Sequence, residues 1–163
     1  MGLVCNFPKL YFMDTQLMLN FVGLFVFVAG FVIGLGAVTV IDLLGFLGQK
    51  STYWTEATVR AHKVTKPLIW LGILLVISGS LLFYRQENFW VWPVYHYILI
   101  LVLILNGLFL SFKVSPFLLK QEKDGHGSDI LPQTLQNKIK ISFVFSVLGW
   151  WTNLGLLVWY VVT

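Results

Sequence analysis

Apolar residues fill four long stretches of the chain, and polar residues collect between them. Residues 15–41, 67–84, 88–112 and 141–163 contain no Asp, Glu, Lys or Arg. A helix needs about 20 apolar residues to cross a hydrocarbon core. In lipid, its backbone amides must be satisfied within their own segment. The runs are continuously apolar rather than alternating, which predicts helices and excludes a β-barrel. The expected architecture is therefore an all-α, integral membrane four-helix bundle with consecutive spans antiparallel. The spans fall at about 17–47, 67–84, 93–112 and 141–162, in a single membrane domain covering 1–163.

The connections carry signals of their own. Ser51 or Thr52 can cap a helix with Glu56 in its first turn, running through Thr58, Arg60 and His62 toward Pro67, which should kink it. Residues 121–129 include Gly125 and Gly127 and read as a polar turn, and Pro132 suits the first turn of the helix leading into span four.

Within the spans, small and polar residues recur at helical spacing. Gly23, Gly30, Gly34 and Ala37 form one stripe in span one, with a GxxxG at Gly30 and Gly34. Ser142, Ser146, Gly149, Asn153 and Tyr160 form another in span four. In span three, His96 and Gly107 lie close in angle, with Asn106 adjacent. His62, Ile69, Ile73 and Ser80 share a face if span two continues through Pro67. Lipid tails are as apolar as leucine, so helices meet through small residues and polar contacts. These faces should point inward, either as packing seams or as the wall of a cavity.

Composition agrees with a lipid solvent. The chain is 58% apolar and 11% charged, with mean hydropathy +0.82, whereas soluble domains carry about 25% charged residues. The net charge of +4 does not indicate nucleic acid, because the basic residues form no stripe with interleaved aromatics. Lys50, Arg60, Lys63 and Lys66 lie between spans one and two. Lys113, Lys120, Lys123, Lys138 and Lys140 lie between spans three and four, which leaves only Lys9 and Arg85 elsewhere. This bias places the two long connections in the cytoplasm and both termini outside, as expected of a multi-pass protein of the plasma (inner) membrane. Trp90, Trp92, Trp159 and Tyr160 then mark the outer interface, and Trp54 and Trp70 the inner one. Trp150 and Trp151 fall about 15 Å deep, where they pack inside the bundle or face lipid. The apolar run after Lys9 is far longer than a signal-peptide core, so the start reads as a first span.

Few residues carry candidate chemistry. The single Cys5 allows no intrachain disulfide and no CxxC. Asp42 is the one acidic residue in the first apolar span. It reads as a proton or cation site or a ligand orienter, or as a charge that pairs with Arg60, Lys63 or Lys66 at the interface. His62 is a candidate haem or metal ligand, a partner for Asp42, or an interfacial histidine. His96, one turn into span three between Tyr95 and Tyr97, is a second candidate ligand or an interfacial anchor. The topology separates the two histidines by about 25 Å, too far to ligate one haem together. A haem b would use one of them with a different second ligand, so they count as separate sites. Soft donors suited to copper can be drawn from Cys5, Met13, Met18 and His96. His126, between two glycines, should be exposed. No phosphate loop, HExxH or nucleophile elbow is present, which argues against a hydrolase or kinase.

The order GLGAVTVIDLLGFLGQK, then ATVRAHKVTKPLIWLG, then LILNGLFLSFKVSPFLL resembles small bacterial membrane proteins of the CopD-like copper-resistance group. More distantly it resembles the HemJ-type protoporphyrinogen oxidases. The resemblance covers about residues 20–120. It implies haem or copper held by histidines near helix ends, here His62 and His96. The first span lacks the histidine that the HemJ pattern implies, which speaks against porphyrinogen oxidation.

Three classes of function follow. The first is haem or metal binding for electron transfer or metal handling. The second is an ion or proton transporter with Asp42, Asn106 and Asn153 along a polar path. The third is a non-catalytic accessory or assembly subunit that packs through Gly30 and Gly34 in a homo-oligomer or larger membrane complex. The lipid bilayer is a partner in all three.

Overall fold

The computed structural model describes residues 8–85 and 92–162, with side chains from Thr15 onward. Every regular element among them is helical: α1 (Pro8–Leu47), α2 (Thr52–Phe83), α3 (Trp92–Phe109), α4 (Ser115–Lys123) and α5 (Gln133–Val162). A π-helical turn, Leu110–Val114, joins α3 to α4, so the two run on as one rod. Four helices are then long and apolar enough to cross a membrane: Thr15–Leu47, Thr52–Phe83, Trp92–Lys123 and Gln133–Val162. Their outward faces are apolar, with Phe25, Leu74, Leu101 and Leu148 all exposed.

The helices extend beyond the apolar runs. α2 begins 15 residues before Pro67, at Thr52, and passes through that proline without a break. Ser51 occupies its N-cap with extended backbone, but its side chain makes no capping bond. Instead the Thr55 hydroxyl donates to the carbonyls of Gly48 and Ser51, at 2.7 and 2.9 Å, and ties the short connection to the helix start. The π turn also has a local cause. Pro116 has no N–H to return to the carbonyl four residues earlier, and the Ser115 N–H reaches back to Leu110 O. One carbonyl is thereby bypassed and the helix widens.

α1 and α2 make the tightest pair, because glycines let their backbones touch. A Cβ on Gly23 would stand 2.7 Å from Phe83 N, one on Gly30 2.6 Å from Val76 N, and one on Gly72 2.5 Å from the Gly34 Cα. Residue numbers rise along α1 as they fall along α2 in these pairs. On its other side Gly34 receives the ring of Trp150, whose edge meets Phe31. α5 packs mainly on α3, where Leu103 covers Gly149. Of the two deep tryptophans, Trp150 is 1% exposed and Trp151 57%, so one packs inside and the other faces out.

The main core runs through Phe27, Phe31, Val76, Leu103, Trp150 and Leu157. A second, smaller core of Val59, Val114 and Leu118 lies near the long connections. There α2 and α4 are also joined by an ion pair, Lys63 to Glu122 at 2.8 Å. The connections at 48–51 and 124–132 therefore share one end of the bundle, called here the loop end. Gly125 takes the left-handed conformation, φ +78°, that stops α4. His126 beside it is exposed and pairs with Asp129 at 3.0 Å.

Candidate functional site

The candidate residues fall into two separate groups and one structural clamp. The first group lines a pocket at the loop end, enclosed by α1, α2, the π turn, α4 and the start of α5. Its cavity volume is about 110 Å³. Asp42 enters it from α1, His62, Lys66 and Trp70 from α2, and Ser111 from the π turn. Most of the remaining wall is aliphatic, including Ile41, Val59, Ile69, Val114 and Leu118.

The polar groups of this pocket divide sharply by whether they are satisfied. The Lys66 amine donates to Ser115 Oγ at 3.2 Å, and the Trp70 indole N–H lies 3.4 Å from Ser111 Oγ. Gln136 donates to Leu131 O at 2.8 Å. Asp42 Oδ2 and His62 Nε2 are buried and have no hydrogen-bond partner. Of the cations that could have neutralised Asp42, Arg60 pairs with Glu56 and Lys63 with Glu122, and Lys66 donates to the Ser115 hydroxyl rather than to Asp42. Among the described residues Asp42 has no ion pair, so of its two sequence readings the interfacial salt bridge is not formed.

Asp42 and His62 also share a level. Gly34 faces Gly72 further into the bundle, and Gly48 faces Thr55 at the loop end. Asp42 stands eight residues beyond Gly34 and six before Gly48, which sets it level with residues 61–64 of α2. The local sequence permits the space around them. A Cβ on Gly45, one turn along α1 from Asp42, would meet nothing within 4 Å.

The second group lies in the core at the far end. His96 is 0% exposed, and its Nδ1 lies 3.3 Å from the Tyr84 hydroxyl. Its ring packs edge-on against Phe27 and Tyr84 at 5.6 and 5.4 Å. His96 Nε2 and both amide atoms of Asn153, which is also 0% exposed, are buried without a partner. Sequence reasoning gave His96 as a ligand or an interfacial anchor; its place is inside an aromatic cage. Met18 is exposed on α1, whereas the Met13 side chain and Cys5 lie outside the described residues. Among the described residues no three His, Cys, Asp or Glu side chains gather as a metal site.

Asn106 is the clamp. It donates to Ser142 O at 3.1 Å and accepts from Ser142 Oγ at 2.7 Å, which fastens α3 to α5. Asp42, Asn106 and Asn153 thus belong to three different settings. The sequence pattern missed Lys66, Trp70 and Ser111 as pocket residues. Lys66 and Trp70 sit one and two turns from His62 on α2, a spacing that could have found them.

No protein family model, no curated protein and no solved structure matches this chain. The site's own chemistry therefore carries the functional argument.

Proposed function

We propose that this chain is a multi-pass protein of the plasma membrane, an antiparallel four-helix bundle that binds a small, largely apolar molecule in the Asp42–His62 pocket. The observation that carries the reading is the pair of buried, unpartnered atoms, Asp42 Oδ2 and His62 Nε2, in a pocket otherwise mostly aliphatic. Buried polar atoms are nearly always hydrogen-bonded, so such a pair facing one pocket is a place for a ligand or a water to complete the bonding. Apolar walls with a few convergent polar groups are the usual make-up of a small-molecule site. The excess of Lys and Arg at the loop end supports a cytoplasmic position for the pocket, with both termini outside.

Haem b is the ligand implied by the resemblance to CopD-like proteins. His62 Nε2 could serve as one axial ligand. Among the described residues no other His, Cys or Met lines the pocket, and a haem would bring two carboxylates into a mostly aliphatic enclosure that already holds Asp42. The donor set therefore supports an uncharged organic ligand better than haem. Copper finds still less support, since Met18 is exposed and His96 is caged by rings. A polar conduction path is disfavoured by the commitment of Asn106 to Ser142.

Native mass spectrometry of the protein released from detergent micelles tests the reading. Wild type should carry a bound small molecule that Gly45→Leu, which fills the pocket, has lost. Equal ligand loads in the two proteins would refute it. A visible spectrum belongs with the measurement: a Soret band lost in His62→Ala would restore the haem form. Tolerance of pocket variants together with co-purification of a fixed partner would favour the accessory-subunit reading instead.

A further inference from the structure

The chemistry of the two unpartnered groups narrows the ligand class, given that the pocket is a binding site. We infer that the pocket takes the ring head of a lipid-soluble quinone or quinol.

Asp42 and His62 approach from facing helices at nearly one level. A carboxylate oxygen only accepts hydrogen bonds, whereas an imidazole nitrogen donates or accepts according to its tautomer. A complementary head group donates to Asp42 in at least one redox state and exchanges a hydrogen bond with His62. A quinol hydroxyl donates to the carboxylate, and the oxygen across the ring meets the imidazole. The quinone form has no donor for Asp42 and is held by the imidazole N–H, which donates to a carbonyl. The walls suit a flat apolar ring: Trp70, Val59 and Ile69 from α2, and Val114 at the end of the π turn.

Other membrane amphiphiles match less well. A single hydroxyl, as in a sterol, satisfies one of the two groups. An anionic phosphate could take Lys66, but it would meet the Asp42 carboxylate and an otherwise mostly aliphatic wall. A zwitterionic ethanolamine head could place its ammonium on Asp42, but its bulky phosphate would have to enter a mostly aliphatic enclosure. A quinone carries no charge into the site and has an isoprenoid tail that belongs among lipid chains. The site lies within the reach of such a tail, because α1 and α2 around it have exposed apolar faces, Leu43 and Leu68 among them.

The test uses the full-length protein in detergent. Organic extracts of wild type, Gly45→Leu, Asp42→Asn and His62→Ala are analysed for quinones and for other lipids. Decylubiquinone is then titrated while tryptophan emission is followed, with Trp70→Phe as the reporter control. The expected result is a quinone in the wild-type extract, absent from Gly45→Leu. Saturable quenching should shrink in Trp70→Phe, and decylubiquinone affinity should fall about tenfold or more in His62→Ala, whereas Asp42→Asn, which puts a donor amide in place of an acceptor oxygen, should bind the quinone at least as tightly. A different lipid in wild type, lost in Gly45→Leu, would overturn the quinone assignment and leave the pocket reading standing. Quinone binding as strong in His62→Ala as in wild type would also overturn it. If no ligand depends on Gly45 and no quenching saturates, the pocket reading falls together with the quinone. Circular dichroism and gel filtration of each variant separate loss of binding from loss of fold.

Discussion

Gly34 and Gly72 face each other across the first helix pair so closely that a Cβ added to Gly72 would stand 2.5 Å from the Gly34 Cα. No side-chain rotation relieves a backbone contact of that kind. Gly72→Leu must therefore push α1 and α2 apart, and the Trp150 ring on the other side of Gly34 limits the room for retreat. Overpacking costs about 1–3 kcal/mol and sometimes more. Thermal unfolding in detergent should show Gly72→Leu well below wild type. Gly36→Ala and Gly155→Ala, where a Cβ meets nothing within 4 Å, should match wild type or exceed it slightly. Equal melting of Gly72→Leu and wild type would mean that the two helices are not packed at this distance.

The Asn106–Ser142 clamp makes a second prediction. Both bonds run between α3 and α5, which otherwise meet through apolar and small side chains such as Leu103 and Gly149. Side-chain hydrogen bonds between membrane helices contribute about 0.6 kcal/mol on average and up to about 1.7. Asn106→Leu and Ser142→Ala should each destabilise the protein, and a double-mutant cycle should return a coupling in that range. Additive effects would show that the two residues act independently. The same variants should leave ligand binding in the loop-end pocket intact, because Asn106 does not line it.

Asn153 behaves oppositely. Neither amide atom has a partner, and the side chain is fully enclosed beside the aromatic core. Leucine has the same branched shape and no polar group to bury. Removing an unsatisfied buried polar group is neutral or favourable, by about 1–3 kcal/mol at most. Asn153→Leu should therefore melt at or above the wild-type temperature. A clear drop would reveal a hydrogen-bonding partner for the amide.

How much of this could be read from the residues depends on the range of the interaction. The four spans follow from local hydropathy, and each apolar run lies within a helix where the structure describes it, save Tyr84, which caps α2. The glycine stripe of α1 and the Ser142–Asn153 stripe of α5 are periodic signals, and Gly30, Gly34, Ser142, Ser146 and Asn153 are all buried. What periodicity cannot give is the choice among partners. Asp42 had three basic residues within reach by sequence, yet Arg60 pairs with Glu56, Lys63 with the distant Glu122, and Lys66 donates to the Ser115 hydroxyl. His96 looked interfacial from its position in the first turn of its helix. Its burial depends on Tyr84, which approaches from the end of α2. Gly72 and Gly79 are spaced one heptad apart and complete the seam with α1. They carry the same periodic signal as the α1 glycines, so they were legible in principle.

Orientation gives the last prediction, and it bears on where a ligand would reach the pocket. Nine of the 11 Lys and Arg residues lie toward the loop end, on the first connection or on the helix segments that flank the two connections, and Lys or Arg near span ends is retained on the cytoplasmic side. Gly125 caps α4 in the exposed turn of the second connection. A cysteine placed there, in a Cys5→Ser background, should resist an impermeant maleimide in intact cells and react after permeabilisation. Replacing Gly125 itself would strain its left-handed backbone, so the neighbouring exposed Asp124 is the better position for the probe. Labelling of intact cells would invert the bundle. The Asp42–His62 pocket would then open toward the outer leaflet, and any ligand taken from the bilayer would have to come from that side.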